Sequence, residues 1–127
     1  MNDYRLEQLD VLIELHNKAR KNKWLFKPEP LIKNFQLMKY AQRWCNKIAV
    51  DQTLIHSDMD KLLKMGFNSF GENIACNLNS PQLVMNVWME SKPHRKNILN
   101  HSFTDIGCGM SIGGNGKLYW VTCFGKI

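Results

Sequence analysis

Apolar positions in the first half of the chain recur at helical spacing. Between residues 5 and 21, leucines and an isoleucine return every three or four positions, which places them on one helical face. They are Leu6, Leu9, Leu12, Ile13 and Leu15. A second stripe predicts a helix from about Pro30 to Ala49, packed into the core. The segment 24–30 between them contains two prolines and is predicted to be a loop.

Capping residues mark three shorter helices in the middle of the chain. Ser57 is expected to cap a helix that runs through Met65 and stops at Gly66. Ser80 followed by Pro81 is a strong helix start, because it combines a cap residue with a proline in the first turn. This helix should end near Ser91, since Pro93 disfavours helix before it. A further helical turn is expected over 94–100.

The pattern changes near the end of the chain. Residues 105–112 and 118–124 favour strands, and the second is rich in β-branched and aromatic residues. The glycine-rich segment 113–116 between them is typical of a hairpin turn. Helices therefore come first and an antiparallel hairpin closes the chain. This order predicts the α+β class, with helices covering a small antiparallel sheet.

Composition places the chain among ordinary soluble domains. The 127 residues, 44% hydrophobic and 22% charged, predict a single domain over residues 1–127. No apolar stretch approaches the ~20 residues that would cross a bilayer. The start of the chain lacks the apolar core of a signal peptide, so we expect either retention where the chain is made or prior removal of a leader.

The formal charge of +6 comes from 17 Lys and Arg against 11 Asp and Glu. Such a balance attracts nucleic acids, anionic membranes and other anionic polymers. The basic residues are scattered, however, and form no run of five. Trp44 and Trp88 fall on the apolar stripes of predicted helices, where they fit a core better than a base-stacking surface. We therefore expect no nucleic-acid partner.

The chain has four cysteines and none forms a C-x-x-C pair, which argues against a structural zinc site of the usual spacing. They are Cys45, Cys76, Cys108 and Cys123. Four cysteines allow three pairings. Cys108 and Cys123 fall in the two predicted strands and could be neighbours across the sheet. Four buried free thiols are the other interpretation.

Two of the four histidines are candidates for chemistry. His16 lies beside the apolar stripe of the first helix and is expected to be buried and structural, and His101 is expected to be an exposed loop residue. His56 and His94 instead lie in or beside loops, where side chains can project into a cleft. With Glu72 they would suffice for a zinc site that keeps one position open to water. Their spacing alone does not bring the three together.

Several stretches, in order, resemble the signatures of the CAP superfamily of cysteine-rich secretory, antigen 5 and pathogenesis-related class 1 proteins (SCP-like domains). The segment from Trp88 to Leu99 is most similar to the compact microbial members of this superfamily. The matching segments are His56-Ser57 with Gly71-Glu72-Asn73-Ile74-Ala75, Trp88 to Leu99 (WMESKPHRKNIL), Phe103 to Gly109 with Tyr119 to Gly125, and His16-Asn17-Lys18-Ala19-Arg20. Together they span about residues 9–125.

The resemblance implies an α-β-α sandwich with a central cleft that holds two histidines and two acidic residues. Matched position by position, these are His56, Glu72 and His94, with Ser91 where the second acid usually stands. Glu90 lies one residue earlier, about 100° away around a helix, so a complete four-residue metal shell is not expected. The residues expected to line the cleft are Ser57, Asn73, Glu90, Ser91 and Arg95.

The function implied is a secreted or surface binding or effector module, with enzymatic turnover not favoured. Its cleft would bind Zn²⁺ or another divalent cation through His56, His94 and Glu72. Its partner would be a lipid, a sterol, an anionic ligand favoured by Arg95, or a protein target. The alternative is a hydrolase that uses the same three residues as catalytic groups. An extracellular location is expected, with a cytoplasmic or virion-associated one as the alternatives.

Overall fold

A computed structural model describes residues 3–127; Met1 and Asn2 of the predicted domain lie outside the described residues. The elements in chain order are α1 (Asp3–Lys21), β1 (Ile32–Lys33), α2 (Phe35–Asp51), α3 (Asp60–Lys64), β2 (Ser69–Cys76), α4 (Pro81–Glu90), α5 (Lys92–Ile98), β3 (Asp105–Ile112) and β4 (Leu118–Lys126). The predicted α+β class is confirmed.

The strands form one sheet in the order β1-β3-β4-β2. β4 pairs antiparallel with both β3 and β2, as the closing hairpin predicts. The sheet is mixed, because the two-residue strand β1, which the sequence did not predict, runs parallel to β3. It is held there by the Ile32 amide, which donates to the Thr104 carbonyl at 2.8 Å, and by the Asn34 amide, which donates to the Ile106 carbonyl at 2.9 Å.

Helices cover both faces of the sheet, which confirms the α-β-α sandwich. On one face α2 packs against β3 and β4. The hydrophobic core on this face consists of Leu37, Ala41, Cys45, Ile48, Ala49, Leu62, Phe67, Tyr119, Val121 and Cys123. On the other face α1, α4 and α5 pack over Trp120 and Phe124, with Leu12 and Trp88 fully buried. Burial of each such large side chain contributes about 1.5–3 kcal/mol.

Two predicted helix starts need correction. Helix α2 begins at Phe35 rather than near Pro30, because residues 32–33 join the sheet and the Asn34 side chain accepts the Leu37 amide hydrogen at 3.1 Å. Helix α3 begins at Asp60 without a side-chain cap, and Ser57 lies three residues before it. The start of α4 is confirmed, since the Ser80 hydroxyl accepts the Leu83 amide hydrogen.

A polar cluster on α1 ties that helix to the rest of the chain. His16 is fully buried, as predicted, and its Nδ1 lies 2.7 Å from the Leu12 carbonyl oxygen. The Asn17 side chain exchanges two hydrogen bonds with the Leu31 backbone. The guanidinium of Arg20 is buried and donates to four backbone carbonyls, those of Glu29, Ile98, Asn100 and Phe103. These bonds join α1 to the segments that precede β1 and β3.

All four cysteines are free. Cys108 lies opposite Thr122, so the next residue, Cys123, points to the other face of the sheet. The predicted strand neighbours are therefore separated by the sheet itself, which explains why they form no disulfide. Burial raises the pKa of the Cys45 and Cys108 thiols to about 12.

Within residues 3–127, the helices are too short or too polar to qualify as membrane spans.

Candidate functional site

The edge strand β2 places its side chains alternately toward the two helical layers. Glu72 is opposite Cys123 of β4 and lies on the α2 side of the sheet. Its neighbour Asn73 lies on the side of α5, where its amide donates to the His94 carbonyl at 3.1 Å. Because β2 ends the sheet, groups from both layers can meet at this edge. The candidate site is built here.

Glu72 is a buried carboxylate whose two oxygens are both hydrogen-bonded. Oε1 accepts from the Ser57 amide at 2.9 Å and lies 2.8 Å from Nδ1 of His56. Oε2 accepts from the Ser57 hydroxyl at 2.6 Å and from the Cys123 thiol at 3.8 Å. These donors offset the cost of removing the carboxylate from water. The Glu72 carboxylate in turn holds the ring of His56, whose side chain is 54% exposed, at the mouth of the site.

A hydroxyl relay supports Glu72 from the α2 side. Because the Ser57 hydroxyl donates its hydrogen to Glu72, it accepts from the Tyr40 hydroxyl 2.7 Å away. Burial raises the pKa of Tyr40, so this phenol remains a proton donor. Ser57 therefore positions the carboxylate, which replaces its predicted role as a helix cap.

His94 comes from α5, in the opposite layer. Its Nδ1 lies 2.7 Å from the Ser91 hydroxyl, and its ring stacks on Trp88 with centroids 6.3 Å apart. Burial lowers the pKa of His94, and its electrostatic interaction with His56 lowers it further. The imidazole is therefore neutral at pH 7. His56 lies beside β2 through its bond to Glu72, and His94 comes to the same strand from the opposite layer, where its carbonyl accepts from Asn73.

Asn97 links the two halves of the site. Its side-chain amide donates to Oδ1 of Asn73 at 2.8 Å and to the carbonyl of Glu72 at 3.3 Å. α5 can approach β2 this closely because Gly71 has no side chain; a Cβ there would lie 3.0 Å from Oδ1 of Asn97. Sequence reasoning missed Asn97 as a site residue. Its position one helical turn after His94 is the signal that could have identified it.

The structure brings Ser57, Asn73 and Ser91 to the two histidines and leaves two other predicted cleft residues aside. Glu90 is exposed at the end of α4, where the expected rotation around the helix turns it away. Arg95 is half-buried and donates to the Met89 carbonyl at 2.9 Å.

The side chains at the site are of the types that bind metals, but too few of them are grouped together to form a complete set of ligands. Within the described chain, no three His, Cys, Asp or Glu side chains are grouped so that they could hold a metal ion. Both oxygens of Glu72 are already engaged, as are Nδ1 of His56 and Nδ1 of His94. The ring nitrogens left for a metal are the two Nε2 atoms. A third protein ligand is missing.

Comparisons with known proteins agree with this fold. The sequence profile of the Cysteine-rich secretory protein family (CAP) matches residues 13–124. The uncharacterized protein YkwD of Bacillus subtilis (strain 168) is 48% identical over 52 residues, which are 41% of this chain and 20% of that protein's length.

Solved structures share the fold at low sequence identity. An outer surface protein of Borrelia burgdorferi superposes with a TM-score of 0.84 at 23% identity, covering 94% of this chain and 92% of that one. NaASP2, solved with Zn²⁺, superposes with a TM-score of 0.70 at 13% identity, covering 98% and 80%. The profile match extends over most of the sequence, and on that ground the chain belongs to the Cysteine-rich secretory protein (CAP) family.

Proposed function

We propose that this chain is a secreted or surface binding module whose cleft binds a divalent cation between Nε2 of His56 and Nε2 of His94. One observation carries the proposal: each ring has its Nδ1 fixed by a neighbouring oxygen, at 2.8 Å from Glu72 and 2.7 Å from Ser91. Histidines that bind metals are commonly oriented in this way through their second nitrogen.

The lowered pKa of His94 favours such a site. A histidine binds a metal in its neutral form, and burial lowers the pKa of His94. Glu72 would then act as the group that orients His56, because its own oxygens are engaged. Zn²⁺ is the probe of choice, since imidazole is among its usual ligands. NaASP2, which shares this fold, has been solved with that ion.

A site with two protein donors leaves coordination positions for water or for a ligand. The helix that carries His94 also carries the exposed Lys92 and Lys96, which favours an anionic ligand group at the same place. The headgroup of a lipid, or the acidic surface of a protein target, would present such a group. A secreted or surface location is supported by the family's name and by the outer surface protein of Borrelia burgdorferi among its structural relatives.

Calorimetric titration with ZnCl₂ near pH 7.5 tests the proposal. The wild type should bind one ion, and His56→Ala and His94→Ala should each weaken binding by at least about tenfold. His101→Ala is the matched control, because that histidine is exposed and lies in the loop between α5 and β3. Glu72→Gln should weaken binding by about 10–100-fold through loss of orientation. Unchanged zinc binding in a His56→Ala, His94→Ala double variant would refute the proposal.

A hydrolase is the second candidate, and one contact favours it. The Ser91 hydroxyl lies 2.7 Å from Nδ1 of His94, which is hydrogen-bonding distance between a nucleophile and its base. In the described residues, however, the carboxylate of Glu72 orients His56 and not His94. A panel of peptides and esters should therefore give equal rates for wild type and Ser91→Ala. Turnover that Ser91→Ala abolishes would instead establish the hydrolase.

A further inference from the structure

The connection between α1 and β1 exposes three consecutive apolar side chains. Trp24 is 86% exposed, Leu25 51% and Phe26 80%. We call residues 22–27 the aromatic loop. Single exposed apolar residues are ordinary on protein surfaces, but a contiguous group that includes two large aromatic rings marks an interaction site.

The backbone holds these side chains outward. The Asn22 amide donates to the Lys18 carbonyl at 3.0 Å, and the ammonium of Lys23 donates to the Leu25 carbonyl. Phe26 has a φ of 51°, in the left-handed region that a bulky residue rarely adopts. Such conformations persist where the surrounding structure imposes them and are frequent at functional sites. The exposure of this loop is thus a feature of its backbone geometry.

Positive charge surrounds the aromatic loop. A cavity of about 520 Å³ lies beside it and is lined by the side chains of Lys18, Lys21 and Lys27. Two acidic residues, Glu14 and Glu29, also line the cavity and offset part of this charge. The guanidinium of Arg20 adds no free donor, because it is committed to four backbone carbonyls. The lysines remain for an anionic group from outside.

We propose that the aromatic loop attaches this protein to the surface of an anionic lipid bilayer. Trp24 and Phe26 enter the boundary between headgroups and acyl chains, where aromatic rings are favoured. Lys18, Lys21 and Lys27 contact the lipid phosphates, and each lysine near an anionic surface strengthens attachment about fivefold. This surface is separate from the cleft at β2, so its failure would leave the metal proposal standing.

Sedimentation with vesicles tests the attachment. The full chain should bind phosphatidylcholine vesicles that contain a third phosphatidylglycerol, and should not bind phosphatidylcholine alone. A Trp24→Ser, Phe26→Gly double variant should lose at least about tenfold in affinity. A Lys18→Gln, Lys21→Gln, Lys27→Gln triple variant should lose about a hundredfold at low salt.

Matched variants separate the loop from general stickiness and charge. Phe35→Ser removes another aromatic residue that is 75% exposed and lies near a lysine, Lys39. A Lys61→Gln, Lys64→Gln, Lys117→Gln triple variant removes the same charge from exposed positions elsewhere. Both should bind anionic vesicles as the wild type does. Thermal unfolding midpoints no lower than that of the wild type would show that the fold is intact in every variant.

Quenching by brominated lipids locates the contact. Trp88 and Trp120 are fully buried, and half-buried Trp44 lies on α2 and remains in the variant. Quenching that disappears in Trp24→Phe therefore places Trp24 in the bilayer. Three results would overturn the proposal. They are no binding of wild type to anionic vesicles, equal binding by the aromatic-loop variants, and displacement from vesicles by millimolar inorganic phosphate at constant ionic strength. The last would identify a site for free phosphate, and the first, if accompanied by loop-dependent capture of a soluble protein, would identify a protein partner instead.

Discussion

The buried His16 should make the stability of this fold depend on pH. Its ring lies between Trp88 and Phe124, with centroid distances of 5.9 and 5.6 Å. Nδ1 is hydrogen-bonded to the Leu12 carbonyl, and Nε2 has no hydrogen-bond partner within residues 3–127. A second proton would have to be placed on Nε2 in these dry surroundings. Burial therefore lowers the pKa of His16 to about 4.

The sign and size of the effect follow from proton binding. The unfolded chain protonates this histidine near its ordinary pKa of about 6.5, whereas the folded chain does so only near 4. Between these values the unfolded state binds more protons, so stability is fully present above about pH 6.5 and is lost as the pH falls toward 4. Integration of this difference gives a loss of about 2 kcal/mol between pH 7 and pH 5.

Urea unfolding followed by tryptophan fluorescence at the two pH values measures this loss. His16→Leu should remove most of the pH-dependent difference in the free energy of unfolding, because no group then titrates at that position. His101→Leu is the control, since an exposed histidine should leave the wild-type loss unchanged. A His16→Leu protein that still loses about 2 kcal/mol between pH 7 and pH 5 would refute this reasoning.

Three further predictions concern the core. Arg20→Lys should lower the free energy of unfolding by at least about 2 kcal/mol, because one ammonium cannot reach four carbonyls. The exposed control Arg43→Lys should change it by less than about 0.5 kcal/mol. Urea unfolding measures both variants, and equal losses would contradict this role of Arg20. Gly107→Ala should lower the free energy of unfolding by about 3 kcal/mol or more in the same assay, since a Cβ would lie 2.1 Å from the α2 backbone. The control Gly114→Ala should leave the free energy of unfolding nearly unchanged. A thiol reagent should modify half-buried Cys76 first in the native protein, with the others reacting only on unfolding; rapid modification of several thiols would contradict their burial.

Periodicity and capping signals were sufficient to predict most elements of the fold. The stripe on α1, the Ser80-Pro81 start of α4 and the closing hairpin all lie where the sequence placed them, because each is set by local backbone chemistry. The strand β1 could not be predicted in this way. Two residues carry no periodicity, and their strand conformation depends on β3, which is more than seventy residues away along the chain.

The candidate site was harder to predict from local signals. His56, Glu72 and His94 come from a loop, a strand and a helix, and only the family resemblance suggested that they meet. The role of Ser57 was missed, because a serine before a helix has the same local pattern whether it caps that helix or bonds to a distant carboxylate such as Glu72. Long-range hydrogen bonds of this kind leave no periodic trace in a single sequence.

The central claim is that His56 and His94, oriented by Glu72 and Ser91, share one ion. A crystal structure of the zinc-soaked protein, with anomalous data at the zinc edge, tests it most directly. The account predicts one peak within about 2.0–2.2 Å of Nε2 of both histidines. Rings too far apart to share an ion, or zinc bound only by other side chains, would contradict it.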